Sequence, residues 1–271
     1  MLVMLDNGIL GHRQFAEPAS EKRTRRWGTH KVSVEIFGFR RKPLNSNPKY
    51  QAEMDILFTV GRLIREGKIQ AFTYSELSCE RFAQTIGLPD FDALARCEIK
   101  NCEPAIERSR FFSGEFPAYV RKGGKEDRKR GHGDNPISQI SFMEWLCSLD
   151  TKALSVLINQ RALLGLTQFD VESLLHLTCF RKLCVVGNSA KNYPDMFHVW
   201  TAQRNSMDVF LTLDDTLCNI ARQFAITKEW RDGYPTKILR PSELLHLMGI
   251  EHPDPVPIEL DRFYSPVGVP Q

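Results

Sequence analysis

No stretch of this 271-residue chain approaches the ~20 consecutive apolar residues that a membrane-spanning helix needs. The opening segment, MLVMLDNGIL, has no basic n-region, and Asp6 interrupts an apolar run already too short for a signal sequence. The seven cysteines form neither CxxC pairs nor a regular spacing. That removes a disulfide framework and leaves free thiols in a reducing, cytoplasmic setting as the expectation. Cys97 with Cys102, and His176 with Cys179 and Cys184, come nearest to a metal-ligand set, but without the spacings of a tetrahedral site. Three nucleotide and nucleophile motifs are missing as well: GxxxxGK(S/T), GxGxxG and GxSxG. Their absence argues against nucleotide hydrolysis, dinucleotide redox chemistry and a serine nucleophile. No internal repeat is visible. Net charge is small, +3, so the overall balance implies no polyanionic partner.

What is present is an ordinary globular composition, 42% hydrophobic and 25% charged, with a very uneven distribution of charge. Residues 22–42 hold eight Lys/Arg against one acid, Glu35, and residues 121–132 hold six against two. Short apolar runs alternate with helical periodicity along the chain. MLVMLD reads as a buried first strand, KIQAFTYSEL as a second, DVFLTLD as a third and TKIL as a last. KVSVEIFGF, residues 31–39, alternates like a strand inside a basic segment and implies an exposed hairpin or arm. Residues 48–67 carry helical spacing with Gly67 as a stop, and CERFAQTIGLP is a short helix. RKGGKEDRKRGHGDNP reads as a charged loop, and helical texture returns over 138–165 as one broken helix or two. DVESLLHLTCFRKL is another helix, with LCVVG either its end or a short strand. NYPDMFHVWTAQRNSM opens with Asn192 as a cap candidate and Pro194 near the first helical position. DTLCNIARQFA and PSELLHLMGI are the last helices, and the Pro-rich, acidic tail from His252 is expected to be extended or poorly ordered. Strands alternating with helices imply an α/β fold, a three-layer α/β/α sandwich with a mainly parallel central sheet.

In such sheets ligands collect at the carboxyl ends of the strands. Asp6 ends the first strand and Asp214 ends DVFLTL, with Asp215 beside it. Each is either a helix cap or part of a site. Two carboxylates facing each other across neighbouring strands repel unless a hard divalent cation stands between them. Glu76 lies at another strand-to-helix passage. Asp195 lies in the first turn of its helix, on one face with His198, Val199 and Ala202. A first-turn aspartate also suits the helix dipole, and His198 also suits a packed helix interior. Thr212, one pleat before Asp214, points to the same side of the sheet and is either a strand threonine or a holder of bound water.

PDMFHVWTAQRNSMDVFLTLDD, followed by a helix and KILRPSELL, resembles the C-terminal half of PIN-domain nucleases. That family typically carries D-x-x-H-x-x-x-A, then D-x-F-L-T-x-D, then a short strand ending in P-x-E-L. MLVMLDNGIL is similar to its first strand, and AFTYSEL to the segment bearing its glutamate. The resemblance implies an acidic cluster of Asp6, Glu76, Asp195 and Asp214 holding Mg²⁺ or Mn²⁺, with Glu80 and Glu53 as alternatives to Glu76. It further implies a structural Asp208, and Asp215 as a cap or supporting partner. The activity implied is metal-dependent hydrolysis of phosphodiester bonds, with RNA favoured over DNA. Small members of the family are often dimers, so a homodimer is an open expectation, as is an antitoxin-like protein partner. Residues 10–47 and about 97–170 lie outside the resemblance. The chain then reads as one domain over 1–250 with a basic and a charged, helical insertion, and a tail over 251–271.

An acidic pit repels a polyanion, so a nuclease needs positive surface around it. Arg23, Arg25, Arg26, Lys31, Arg40, Arg41 and Lys42 are candidates for one wall, with Trp27 for base stacking. Arg121, Lys122, Lys125, Arg128, Lys129 and Arg130 are candidates for a second arm; the alternative in both cases is a solvated loop. Two rival readings stand beside the nuclease: a PIN-like nucleic-acid-binding or scaffolding module without catalysis, and an unrelated phosphatase-like enzyme using Asp6. The last would want DxDx(T/V), where this chain has DNGIL.

Overall fold

The computed structural model describes residues 1–77, 91–111, 139–225 and 236–264. Its centre is a sheet of five strands: β1 (Leu2–Leu5), β4 (Gln70–Thr73), β5 (Ile99–Asn101), β6 (Val209–Leu211) and β7 (Lys237–Leu239). The order is β5-β4-β1-β6-β7, and every pairing is parallel. Four of these strands coincide with the apolar runs read from the sequence. The fifth, β5, lies in a stretch with little apolar periodicity, because a three-residue edge strand with only Ile99 turned to the core needs none.

From β1 the chain moves outward to β4 and β5 on one side, then crosses back to β6 and β7 on the other. The direction of winding therefore reverses between β1 and β6, which makes their carboxyl ends the switch point where open α/β sheets form their crevice. Asp208 helps to fix that pairing: its carboxylate accepts from the Leu2 amide at 2.7 Å, and its own amide donates to the Leu2 carbonyl at 3.0 Å. The register then aligns Leu5 with Leu211, so the next residues, Asp6 and Thr212, meet across the strand ends.

Alternate strand residues feed two cores on opposite faces of the sheet. Val3, Leu5, Ala71, Val209 and Leu211 pack with α1 (Asn7–His12), α2 (Pro48–Asp55), α3 (Leu57–Arg65) and α11 (Pro241–Leu247). Met4, Phe72 and Phe210 pack with helices from the other half: α4 (Gln139–Ser148), α5 (Thr151–Asn159), α6 (Arg161–Leu164), α7 (Gln168–Leu175), α8 (Leu177–Gly187), α9 (Tyr193–Arg204) and α10 (Asp215–Ala225). The protein is thus a mixed α/β molecule with a mainly parallel central sheet covered by helices on both faces. Among the described residues no helix is long and apolar enough to cross a membrane, and the six cysteines are free thiols.

The sequence reading merges several of these helices. Residues 48–67 break at Ile56, 138–165 form three helices rather than one or two, and the helix through DVESLLHLTCFRKL breaks at His176. LCVVG ends α8 and is not a strand. Asn192 precedes α9 but its side chain does not cap it; the amide donates instead to the Gly187 carbonyl at 2.8 Å. The segment reading as a helical insertion is structural: Phe142 and Trp145 of α4 share one core with Trp200 of α9 and Phe210 of β6.

The basic segment forms a long ribbon, β2 (Ala16–Trp27) paired antiparallel with β3 (His30–Arg41). Its base is clamped by aromatic contacts of Phe39 with Phe91 and of Phe91 with Tyr264. The described part of the tail, residues 252–264, bends and turns back to the ribbon, where β8 (Phe263–Tyr264) adds to β3; residues 265–271 lie outside the described residues. Gly38 permits this approach, since a Cβ there would fall 2.3 Å from the Tyr264 carbonyl oxygen. Ile258 is buried, and Asp254 pairs with Arg62 at 2.7 Å.

Trp200 is fully buried and stacks on Phe180 with ring centroids 5.0 Å apart, edge-on to Phe197 at 5.7 Å. Trp200→Ala is expected to destabilise the fold by about 3–5 kcal/mol. Urea unfolding of the wild type and the variant measures this.

Candidate active site

At the switch point Asp6 closes β1 and opens α1, and Asp214 follows β6 and opens α10. Both are caps. Asp6 Oδ1 accepts from the Asn7 amide at 2.7 Å, and Asp214 Oδ1 accepts from the Thr216 and Leu217 amides at 2.6 and 3.2 Å. Capping uses only one oxygen of each carboxylate. On Asp6 the other oxygen, Oδ2, accepts from the Thr212 hydroxyl at 2.6 Å, and Thr212 Oγ1 in turn accepts from the Asp214 amide at 3.0 Å. Thr212 is fully buried and so couples the two aspartates from beneath. It lies one residue past the end of β6, not within the strand, and positions both acids.

These groups open onto a cavity of about 510 Å³ lined by Asp6, Asn7, Gly8, Tyr50, Pro194, Asp195, His198, Leu213, Asp214 and Asp215. Asp195 arrives from the first turn of α9 and His198 from one turn later. His198 is 4% exposed, and its Nδ1 shares a short hydrogen bond with the Tyr74 hydroxyl. Asp6 and Asp195 are half-buried while Asp214 and Asp215 are exposed, so the pit opens to water on the β6 side. Asp215 does not cap; its carboxylate meets the Arg240 guanidinium at 2.5 Å, which ties the start of α10 to the start of α11. Tyr50 reports the field of the pit. Burial raises its phenol above the ordinary value, and the charges of Asp215, Asp6 and Asp214 raise it further.

Glu76 is not in this lining. Its buried carboxylate is held by Arg108, Nε to Oε1 at 2.8 Å and Nη2 to Oε2 at 2.9 Å, and by the Gln139 amide at 3.0 Å. Burial alone would raise its pKa, but Arg108's hydrogen bonds and charge, the Gln139 bond and the charge of His198 together hold it below the ordinary value. Glu53 is also absent from the lining. It accepts from the Ser242 amide at 2.9 Å and from the Ser242 hydroxyl, joining α2 to α11. Glu80 lies outside the described residues. Three of the four expected acids, Asp6, Asp195 and Asp214, therefore share one cavity, and the glutamate does not. Among the described residues no three His, Cys, Asp or Glu side chains are gathered closely enough to hold an ion between them.

Of the basic candidates, Arg25, Arg26, Trp27, Lys31, Arg40 and Lys42 are exposed. Arg23 pairs with Glu21 at 3.1 Å, and Arg41 is committed to Asp55 at 3.0 Å and to the Ile258 carbonyl at 3.1 Å. Arg121, Lys122, Lys125, Arg128, Lys129 and Arg130 lie outside the described residues. None of the ribbon residues lines the cavity, so they form no wall of it. Asn7, Gly8, Tyr50 and Leu213 line the cavity without having been singled out in the sequence, and Tyr50 is the one that adds a titratable group. The available signal was its place in the first turn of a helix capped by Asn47 and opened by Pro48. Compared with protein-family models, with curated proteins and with solved structures, the chain matches none.

Because the Glu76 carboxylate is held below its ordinary pKa of 4.5, its pairing contributes stability above that pH and loses it as acid protonates the folded state. Glu76→Gln takes the Glu76 countercharge from the half-buried Arg108 and is expected to cost on the order of 3 kcal/mol at neutral pH. The gap from wild type narrows as pH falls below 4.5. Denaturant midpoints across that range check the sign; a gap that widens in acid contradicts it.

Proposed function

We propose that the protein is a PIN-like nuclease that depends on a divalent cation and hydrolyses phosphodiester bonds, cleaving RNA in preference to DNA. One observation carries the reading: Asp6, Asp195 and Asp214 come from three separate stretches of sequence and line one cavity at the switch point of the sheet. The donor set fits Mg²⁺ or Mn²⁺, since the acids offer oxygen only. Mg²⁺ keeps several of its waters and is commonly bound through one or two carboxylates plus substrate phosphates. A roomy ring of acids, rather than a tight three-ligand cage, suits that habit. One or two of Asp6, Asp195 and Asp214, together with retained waters and a substrate phosphate, would hold the cation, which would supply Lewis acidity toward a phosphodiester and make water a better nucleophile near neutral pH.

The chain's own residues prepare this site. The Asn7 amide and the Thr212 hydroxyl fix the Asp6 carboxylate in one orientation, and the Thr216 and Leu217 amides do the same for Asp214. Arg240 draws Asp215 toward α11, while Asp214 has no ion pair among the described residues. His198, seated on Tyr74, forms part of the pit wall. A second reading, a binding module without catalysis, is favoured by the commitment of Glu76 to Arg108, which takes the fourth expected acid out of the cluster.

Labelled RNA incubated with the protein and Mn²⁺ separates the two readings. Cleavage is expected to vanish with EDTA and to fall by about 10²–10³-fold in Asp6→Asn and Asp214→Asn, the scale of losing one preorganised electrostatic contact. RNA bound but uncut by wild type and variants alike sinks the nuclease and leaves the module. Thr212→Val, which removes the partner of Asp6 without touching the pit, is expected to cost 10–100-fold in activity or Mn²⁺ affinity, about the usual loss for such a supporting group. Thr212→Ser restores it; equal loss in both variants contradicts the positioning role.

A further inference from the structure

The ribbon of β2 and β3 has a length and charge that the fold itself does not require. Each strand runs for 12 residues, about 40 Å at ~3.4 Å per residue. Only its base is clamped: residues 22–35 are exposed on both faces. Two-stranded ribbons are marginal in water on their own, and this one carries a further cost. Residues 22–34 hold five Lys/Arg and no acid. In the register Arg26 stands directly opposite Lys31, a like-charge pair that destabilises a ribbon. No ion pair with either residue occurs among the described residues.

The cations are divided between the faces. Directly paired residues share a face, so Arg26 and Lys31 project from one side, and Arg25, opposite Val32, projects from the other. A membrane surface or a flat acidic protein would need one basic face. Cations on both sides need anions on both sides. At the tip, Trp27 is 81% exposed opposite His30, beside the turn made by Gly28 at φ +59°. A bare indole among cations is what stacks on an unpaired base. The base of the ribbon leads back to the pit. Lys42 lies close enough to His12 to depress its pKa, after burial, and the His12 ring is 5.6 Å from Tyr50, which lines the cavity.

We propose that the ribbon grips an RNA stem-loop: Arg25 on one face and Arg26 and Lys31 on the other contact phosphates of the two strands, and Trp27 stacks on an unpaired loop base. This deepens the nuclease reading and rests on it for the choice of RNA. It makes the ribbon a holder that works at a distance from the cut, not a wall of the active site.

Binding is measured in EDTA by fluorescence anisotropy, with a labelled stem-loop, the same stem as a blunt duplex, and the loop sequence as a single strand. The stem-loop is expected to bind tightest. The triple variant Arg25→Gln, Arg26→Gln, Lys31→Gln is expected to weaken it at least about tenfold and to flatten the log–log salt slope by about two to three. Arg25→Lys, Arg26→Lys, Lys31→Arg keeps charge and is expected to keep binding, which separates charge from ribbon folding. Trp27→Ala is expected to reduce stem-loop affinity to that of the blunt duplex with the slope intact. A Gln variant that binds like wild type overturns the proposal, as does equal wild-type affinity for all three probes. Ribbon-dependent capture of phosphatidylserine vesicles without RNA preference overturns it in favour of a membrane surface. The two readings fail separately: EDTA binding lost in the Gln variant of a protein that never cuts sinks only the nuclease, and cutting that needs Asp214 while binding ignores the ribbon sinks only the grip.

Discussion

The parallel pairing of β1 with β6 is the constraint on which the rest of the site depends. It places two acids from positions 6 and 214 at one end of the sheet, and a single buried hydroxyl, Thr212, links them by hydrogen bonds to the Asp6 carboxylate and the Asp214 amide. Asp208 secures the opposite end of the same two strands through the Leu2 backbone. A slip of one residue in this pairing would move every side chain of β6 to the other face, sending Phe210 from one core into the other. Register, core and candidate site are therefore specified together, and the site's precision is borrowed from the packing beneath it.

The parts of the molecule written in the sequence are those whose signal is local. Apolar runs ending in acids marked β1 and β6, and Pro194 marked the start of α9. The signals that failed are those decided by partners far along the chain. Glu76 sits at the expected strand-to-helix passage, but Arg108 and Gln139 come from segments with no visible relation to it and claim its carboxylate. Arg41 belongs by sequence to a basic patch, yet Asp55 and the Ile258 carbonyl take it into the fold. Tyr50 enters the pit from α2, edge-on to His12 of α1, which no periodicity could reveal. A charge in sequence is an inventory; what it does depends on which opposite charge folds beside it.

The segments that read as insertions divide along the same line. The helices over residues 139–187 carry Phe142, Trp145, Leu174 and Phe180 into a core with Trp200, and deleting them would strip one face of the sheet. The ribbon contributes little to either core beyond its base. Burial thus separates an insertion absorbed into the architecture from one that projects out of it, and only the second is free to be shaped by a partner.

Capping and ligation were rival explanations for Asp6 and Asp214, and the geometry removes the rivalry. Backbone amides at the helix starts take Oδ1 of each acid, and those donors partly offset negative charge that would otherwise make neighbouring carboxylates repel. Thr212 takes Oδ2 of Asp6 but leaves it lone pairs, and on Asp214 the second oxygen accepts no hydrogen bond from the described residues. The caps consequently help these acids to stand near one another at the end of the sheet. The Tyr50 phenol is raised first by burial and then by the charges of Asp215, Asp6 and Asp214, which gives the pit a negative field. The hydrogen bonds at the helix starts thus hold the two acids in place within a pit that keeps a negative field.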